Sequence, residues 1–580
     1  MEATYKTDQL REKTPTLELR PVTQLPENTN CLACSEDGRF LGLGHSRGLS
    51  VWCASSLICV SEWLQDSLEI TSVQMSRIGE MTYLLGTVDD MGVARVFAHH
   101  FDTIHLLDVI NVMEDINKRS ICLTFELHEG GHYGAASLSC NDAVWLEIYH
   151  FPSAVWLEEL ERALSKKQDP NSSGDVDVKW SPVTVMIKIK PPKIPIGRAF
   201  SGPPEVSQTT DYLTRCLALD VIMRSSRQWQ KSSFNAETGK TKEANESPRR
   251  CTQHFLLPCG HFPGSSEANF QPGLPVAVAV WWSGSQNLLQ YVLQKAPKNK
   301  AADVESMPAV LWPNAKEILC SAVSRYTRYI ALGLDDALVC VWDRLSGAPL
   351  SVVRVPVENS AIIRMQFVDY WSVSADDSET FAAEKVHLLL QCKSGEIHTV
   401  TTGRGTQSCT MQLIERPEDN RDLPSVIMPV PFLQGLSLVL QRNGKMFLQD
   451  VINKTPVCFL TLPTIHLVTT PCSPVYALST TQHTLFIRGD QDSSCSVSSE
   501  DSSQSQLFIF RFKESDVIQQ YVVSHPDSPR QQQTLSYVTL QENCNAYLQQ
   551  RALSAAERNK DIRKTWERLQ ETAATLQQKQ

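Results

Sequence analysis

The chain has 580 residues, 42% of them hydrophobic and 20% charged, and carries a net charge of −10. Those values exclude wholesale disorder and a membrane-resident chain, and the acidic balance excludes a surface built chiefly to hold nucleic acid phosphates. Met1-Glu2-Ala3-Thr4-Tyr5-Lys6 has charges where a signal peptide needs an apolar run, and no stretch reaches the roughly 18 uninterrupted apolar residues of a membrane-spanning helix, so a cytoplasmic protein is expected.

In chain order, Thr16-Leu17-Glu18-Leu19-Arg20 is a candidate latch strand. Phe40-Leu41-Gly42-Leu43-Gly44 then turns at Ser46-Arg47-Gly48 into Leu49-Ser50-Val51-Trp52, followed by Cys53. Thr82-Tyr83-Leu84-Leu85-Gly86 turns at Asp89-Asp90-Met91-Gly92 into Val93-Ala94-Arg95-Val96-Phe97, with Phe97 in the position of Trp52. Hairpins of the same kind turn at Asn141-Asp142 and Ser283-Gly284-Ser285. The clearest unit runs from Ile318 to Val353: the strand Tyr329-Ile330-Ala331-Leu332-Gly333, a turn through Asp335 and Asp336, then Leu338-Val339-Cys340-Val341-Trp342-Asp343. Further copies turn at Lys393-Ser394-Gly395 and at Arg442-Asn443-Gly444, where Asn-Gly is a strong hairpin signal. The last pairs Val475 to Leu478 and Leu485 to Ile487 with Leu507 to Phe512.

Half-buried strands meeting at acidic or Gly-containing turns, repeated mostly about every fifty residues with one wide gap between Asn141 and Ser283, predict an all-β propeller of seven or eight blades. It is expected to occupy 1–515, closed by the N-terminal latch. A long insertion at about 158–273 interrupts it, with a helical start (Leu157 to Leu164), a strand (Val183 to Ile189) and a polar middle read as a flexible loop. The acidic, Ser-rich stretch 490–506 is read as a loop projecting from a blade. Residues 516–580 are expected to form a linker and a basic α-helical tail, in which Ile562, Trp566, Leu569 and Leu576 make a short heptad seam that offers a candidate partner-docking stripe.

Candidate chemistry is sparse. Cys251, His254, Cys259 and His261 are the one metal-like cluster, but their spacing departs from the paired knuckles of zinc sites, and a loop with reduced thiols is the better reading. His99, His100 and His105 read as an exposed turn. The 17 cysteines, Cys53, Cys140 and Cys458 among them, read as small core hydrophobes. Asp89/Asp90 and Asp335/Asp336 recur at one turn position, which points to backbone hydrogen bonding and not to acid/base catalysis. No phosphate loop, nucleophile elbow or metalloprotease helix is present, so neither enzyme activity nor a cofactor is expected.

The signature Gly333, Asp335, Trp342, Asp343, with Trp52 and Phe97 as its weaker echoes, resembles the WD-repeat family, and the degenerate blades and basic tail are similar to members linked to motile cilia and sperm flagella. The resemblance implies a WD40-type scaffold docking other protein subunits of an axonemal complex of the central apparatus, close to microtubules, without nucleic acid or membrane. The Gly-His dipeptide that usually opens a WD blade is missing from the clear repeats. Two alternatives stay open: a substrate-recruiting adaptor of a ubiquitin-ligase or trafficking complex, which a ring of Arg and Tyr on one face would favour, and an accessory subunit of an electron-transport assembly.

Overall fold

The computed structural model describes residues 23–522 apart from 112–118, 142, 168–178, 193–249, 260–272, 294–306, 315, 358–359, 369–384, 404–406, 464–465, 469 and 492–504. The chain divides into compact units at 1–522 and 523–580. The helical tail expected in the second unit, with Ile562, Trp566, Leu569 and Leu576, lies outside the described residues.

The described residues form eight antiparallel sheets. Seven are four-stranded, with strands following one another in sequence, at 31–64, 70–109, 121–189, 251–313, 318–354, 362–414 and 424–460. The eighth covers 466–511 and takes its last strand, Thr23–Gln24, from the N-terminal end of the described chain. We number these blades 1 to 8 and their strands a to d from the axis outward. Strands a of neighbouring blades lie against one another: Cys31–Cys34 touches Ile70–Arg77 on one side and Tyr476–Ser479 of blade 8 on the other, which closes the ring. The all-β propeller therefore has eight blades, the upper of the two expected counts. All eight predicted hairpins are the b–c pairs of these blades.

Strands b carry no polar face. Every residue of Phe40–His45, Thr82–Asp89, Ala277–Trp282 and Tyr329–Leu334 is buried, because each sheet is sandwiched between two others. Exposed positions return where a blade meets solvent, as at Glu62 and Leu64 of the outer strand Cys59–Leu64. The core is a series of inter-blade clusters: Leu41 and Trp52 of blade 1 pack with Phe486 and Ile509 of blade 8, and Ala331 and Val341 of blade 5 pack with Leu388 and Leu390 of blade 6.

Closure is a short latch. Thr23 pairs with Leu507 and Gln24 with Gln506, Leu25 N donates to Ser505 O at 3.1 Å, and the Arg488 guanidinium of blade 8 donates to Thr29 O, just ahead of blade 1, and to Ser505 Oγ at 2.9 Å. The latch expected at Thr16 to Arg20 lies outside the described residues.

Both ends of the stretch read as one insertion belong to blades. Thr184–Ile189 is strand d of blade 3 and Cys251–Leu256 is strand a of blade 4. Helix Ser153–Lys167 sits between strands c and d of blade 3. It buries Trp156 and Leu160, one turn apart, with Phe151, and Trp156 Nε1 donates to Ser181 O at 2.8 Å.

Gly333 is needed for close approach: a Cβ there would lie 2.5 Å from Cys320 Sγ in its own blade and 2.9 Å from Met365 Cε in the next. Gly333→Ala is expected to lower unfolding free energy by about 1–3 kcal/mol through overpacking, and Gly333→Val by more, both read from urea midpoints at unchanged m-value.

Candidate partner-docking faces

In an antiparallel blade the a–b and c–d turns emerge at one end and the b–c and d–a turns at the other. The ring thus has two faces, each a circle of turns on a rigid frame. The signature residues belong to that frame.

Trp342 is buried, stacks on Trp312 of blade 4 with centroids 5.6 Å apart and planes at 12°, and donates from Nε1 to Asn314 Oδ1 at 3.1 Å. Trp52 donates from Nε1 to Ser50 Oγ at 3.0 Å. Phe97 has no such donor, and fills its slot edge-to-face with Trp63 of blade 1 at 4.8 Å.

Asp343 is buried at the end of strand c, where its carboxylate accepts from Leu345 N at 3.1 Å and from Arg328 Nε at 3.5 Å. Asp450 does the same in blade 7, accepting from Ile452 N and Asn453 N at 2.8 Å each. Blade 1 places Cys53 there. Burial pushes its thiol up, but the hydroxyls and amides of Ser55 and Ser56 together outweigh it and bring the thiol down to about 7. Its sulfur stands where the carboxylate stands in blades 5 and 7, and shares a 3.2 Å hydrogen bond with Ser55 Oγ. No sequence pattern marks this substitution; it is visible only as Cys53 following Trp52.

The b–c turns use carboxylates in a related way. Asp89 accepts from Val93 N at 2.7 Å and pairs with Arg95 at 2.6 Å. Asp336 takes a left-handed φ of 61° and pairs with Lys316 at 2.6 Å, while Asp335 begins the same one-turn helix.

The metal-like cluster is not assembled. Cys251 and His254 are three apart on one strand and so point to opposite faces: Cys251 Sγ donates to Ser137 Oγ of blade 3 at 3.4 Å, whereas His254 Nε2 lies 2.7 Å from Ser321 Oγ of blade 5. Ser321 Oγ also accepts from Trp281 Nε1 at 2.8 Å. Cys259 follows beyond the strand's end, and His261 lies outside the described residues.

The histidine run differs from the expected exposed turn. His99 and His100 are buried at the end of strand c of blade 2. His99 packs edge-on to Phe40 at 4.8 Å, and burial, aided by neighbouring His100, holds its pKa down to about 4. His100 Nδ1 and Thr82 Oγ1 share a 2.7 Å hydrogen bond. His105 sits in strand d, beside Thr103 and Trp180. Among the described helices none is long and apolar enough to cross a membrane.

A family model described as WD repeat-containing protein 93 matches residues 29–339, more than half of the chain. Among solved structures, the chain is similar to Saccharomyces cerevisiae Sqt1 at 9% identity and a TM-score of 0.45, covering 86% of this chain and 99% of that one. It is similar to Chaetomium thermophilum Sqt1 bound to the N-terminus of the ribosomal protein L10 at 11% and 0.44, covering 85% and 100%. The Cps50 (Swd1) β-propeller domain of Myceliophteria thermophila matches at 10% and 0.36, covering 86% and 99%.

Two outcomes are expected. Cys53→Ala, which removes the turn's acceptor, costs about 1 kcal/mol in chemical denaturation, while Cys53→Asp stays within about 0.5 kcal/mol of the native chain. Separately, His99 and His254 are both held down to about 4 by burial, from an ordinary value of 6.5. The unfolded chain therefore binds these protons first, so stability is full above pH 6.5 and is lost as pH falls toward 4. The fully buried His99 accounts for on the order of 3 kcal/mol of that loss. Thermal melts across this range check it, with His99→Phe flattening the slope.

Proposed function

The chain belongs to the WD repeat-containing protein 93 family, and from that premise we propose that it is a non-enzymatic WD-repeat scaffold for protein–protein interactions, working as a structural component of the axoneme of the motile cilium or sperm flagellum, in the central apparatus. The observation that carries the scaffold is the ring itself. Eight blades are locked face to face, and the polar groups that define the repeat, Asp89, Asp343, Asp450 and Ser321, are turned inward to turns and neighbouring blades. What the frame offers outward is two circles of turns, a surface for several partners at once. The axonemal place, with its microtubule neighbours, rests on the resemblance to members linked to cilia and flagella.

The adaptor alternative wants Arg and Tyr around one face, and among the described residues Tyr326 is the one strongly exposed tyrosine. The electron-transport alternative wants a convergent ligand set, and Cys251 and His254 diverge.

The decisive experiment is localisation of the tagged chain in multiciliated cells before and after detergent extraction. Retention along the axoneme is expected; full release into the soluble pool would transfer the weight to the adaptor. In parallel, truncation after residue 522, where the compact propeller unit ends, is expected to leave the propeller's thermal melt unchanged and to remove one axonemal contact. A melt lowered by the truncation would sink the tail's part as a docking arm.

A further inference from the structure

Blades 1 and 5 build the same a–b turn from different residues. In blade 1 it is Ser35-Glu36-Asp37-Gly38-Arg39-Phe40: Ser35 N donates to Phe40 O at 2.9 Å, Gly38 N to Ser35 O at 2.8 Å, and Phe40 N to Ser35 Oγ at 3.0 Å. In blade 5 it is Ser324-Arg325-Tyr326-Thr327-Arg328-Tyr329, with the same three bonds at 3.0, 2.7 and 3.0 Å. The two tip residues differ in charge and in employment. Glu36 and Asp37 serve the fold, since Ser76 Oγ donates to Glu36 at 3.1 Å and the Tyr83 hydroxyl to Asp37 at 2.6 Å. Arg325 and Tyr326 form no hydrogen bond or ion pair among the described residues; the guanidinium lies 5.7 Å over the ring of its neighbour, and Tyr326 is 67% exposed. Nothing in the packing of the blade asks for them.

The turn that presents them is rigid. Thr327 Oγ1 accepts from Leu257 N of blade 4 at 2.8 Å, and the Arg344 guanidinium spans Thr327 and Leu257 O, with both terminal nitrogens 3.1 Å from the latter. Arg344 thereby ties the c–d turn, with Leu345 50% exposed, to the a–b turn on the same face. The charge there is one-sided: of the groups on these two turns, Arg325, Arg328 and Arg344 face the single carboxylate Asp343, which is buried and engaged with Arg328. On a chain of net charge −10 this is a local reversal of sign.

We infer that the Arg325–Tyr326 turn and Leu345, on the a–b face of blade 5, are a docking site for an acidic, extended segment of a partner protein, whose carboxylates meet Arg325 and whose apolar side chain lies on Tyr326 and Leu345. The inference deepens the scaffold reading and rests on it. Arg and Tyr held on a preorganised turn lose little side-chain freedom on binding, and they are the residue types that dominate interface energetics. The positive field would speed encounter and make affinity fall with salt.

The test uses the full chain and a fluorescein-labelled oligoglutamate peptide carrying one leucine, read by anisotropy at low and physiological salt. Saturable, salt-weakened binding is expected, with Arg325→Glu and Tyr326→Ala each weakening it by about tenfold or more and leaving the thermal melt unchanged, because neither side chain supports the fold. Arg416→Glu, an exposed arginine of the d–a turn after blade 6 on the other face, makes the same charge change and is expected to shift binding by less than about twofold. Equal weakening by Arg416→Glu would reduce the effect to diffuse attraction and overturn the site. Absence of peptide binding overturns it as well, as does tighter Arg325-dependent binding of an oligothymidylate. A wild-type chain that fails to bind peptide but stays on the extracted axoneme overturns this inference alone, whereas a chain that binds peptide through Arg325 but washes out of the axoneme overturns the axonemal reading and leaves the site standing.

Discussion

A twisted four-stranded sheet with apolar side chains on both faces cannot cover either of them by itself, and every other feature of this molecule follows from that constraint. Each blade buries its faces against two neighbours, so the arrangement is stable only when the last blade meets the first. That meeting depends on the pairing of Thr23–Gln24 with blade 8 and on Arg488 reaching back to Thr29. The cost of the arrangement shows at Gly333, where neighbouring blades come so near that a methyl group has no room.

Because the frame is held by inter-blade packing, the repeat signature can decay without loss of the fold. The tryptophan position needs an aromatic body, which Phe97 supplies as well as Trp52 or Trp342. The position after it needs an acceptor for two turn amides, which Asp450 meets with a carboxylate and Cys53 with a thiol that ionises near neutrality. What looks in sequence like erosion is, at these positions, replacement of one group by another that does the same physical job. The buried histidines tell a related story: placed between blades, they are held neutral, and acid acts on the frame through them.

A frame of this kind separates residues that hold the ring from residues that meet a partner. The contrast between Glu36-Asp37 and Arg325-Tyr326 makes that separation concrete, since identical backbone bonds carry inward-bonded acids in one blade and an outward Arg–Tyr pair in another. Side chains that the scaffold does not employ are free to be chosen for what they bind.

Local chemistry alone determined the eight b–c hairpins, the acceptor part of Asp89 and the aromatic part of Phe97, because a turn and the two short apolar strands that flank it are written within a dozen or so residues of one another. Tertiary structure decided the rest. That Cys251–Leu256 is the inner strand of blade 4, with Cys251 and His254 facing opposite neighbours, depends on pairing with Ala277–Trp282 across a long connection. That His99 and His100 are buried depends on a neighbouring blade covering their face, and that the ring has eight members and not seven depends on how sheets twist and pack around an axis. The latch pairs residues nearly five hundred positions apart, and no local pattern encodes a partner at that distance; only closure of the ring brings the two strands within hydrogen-bonding reach.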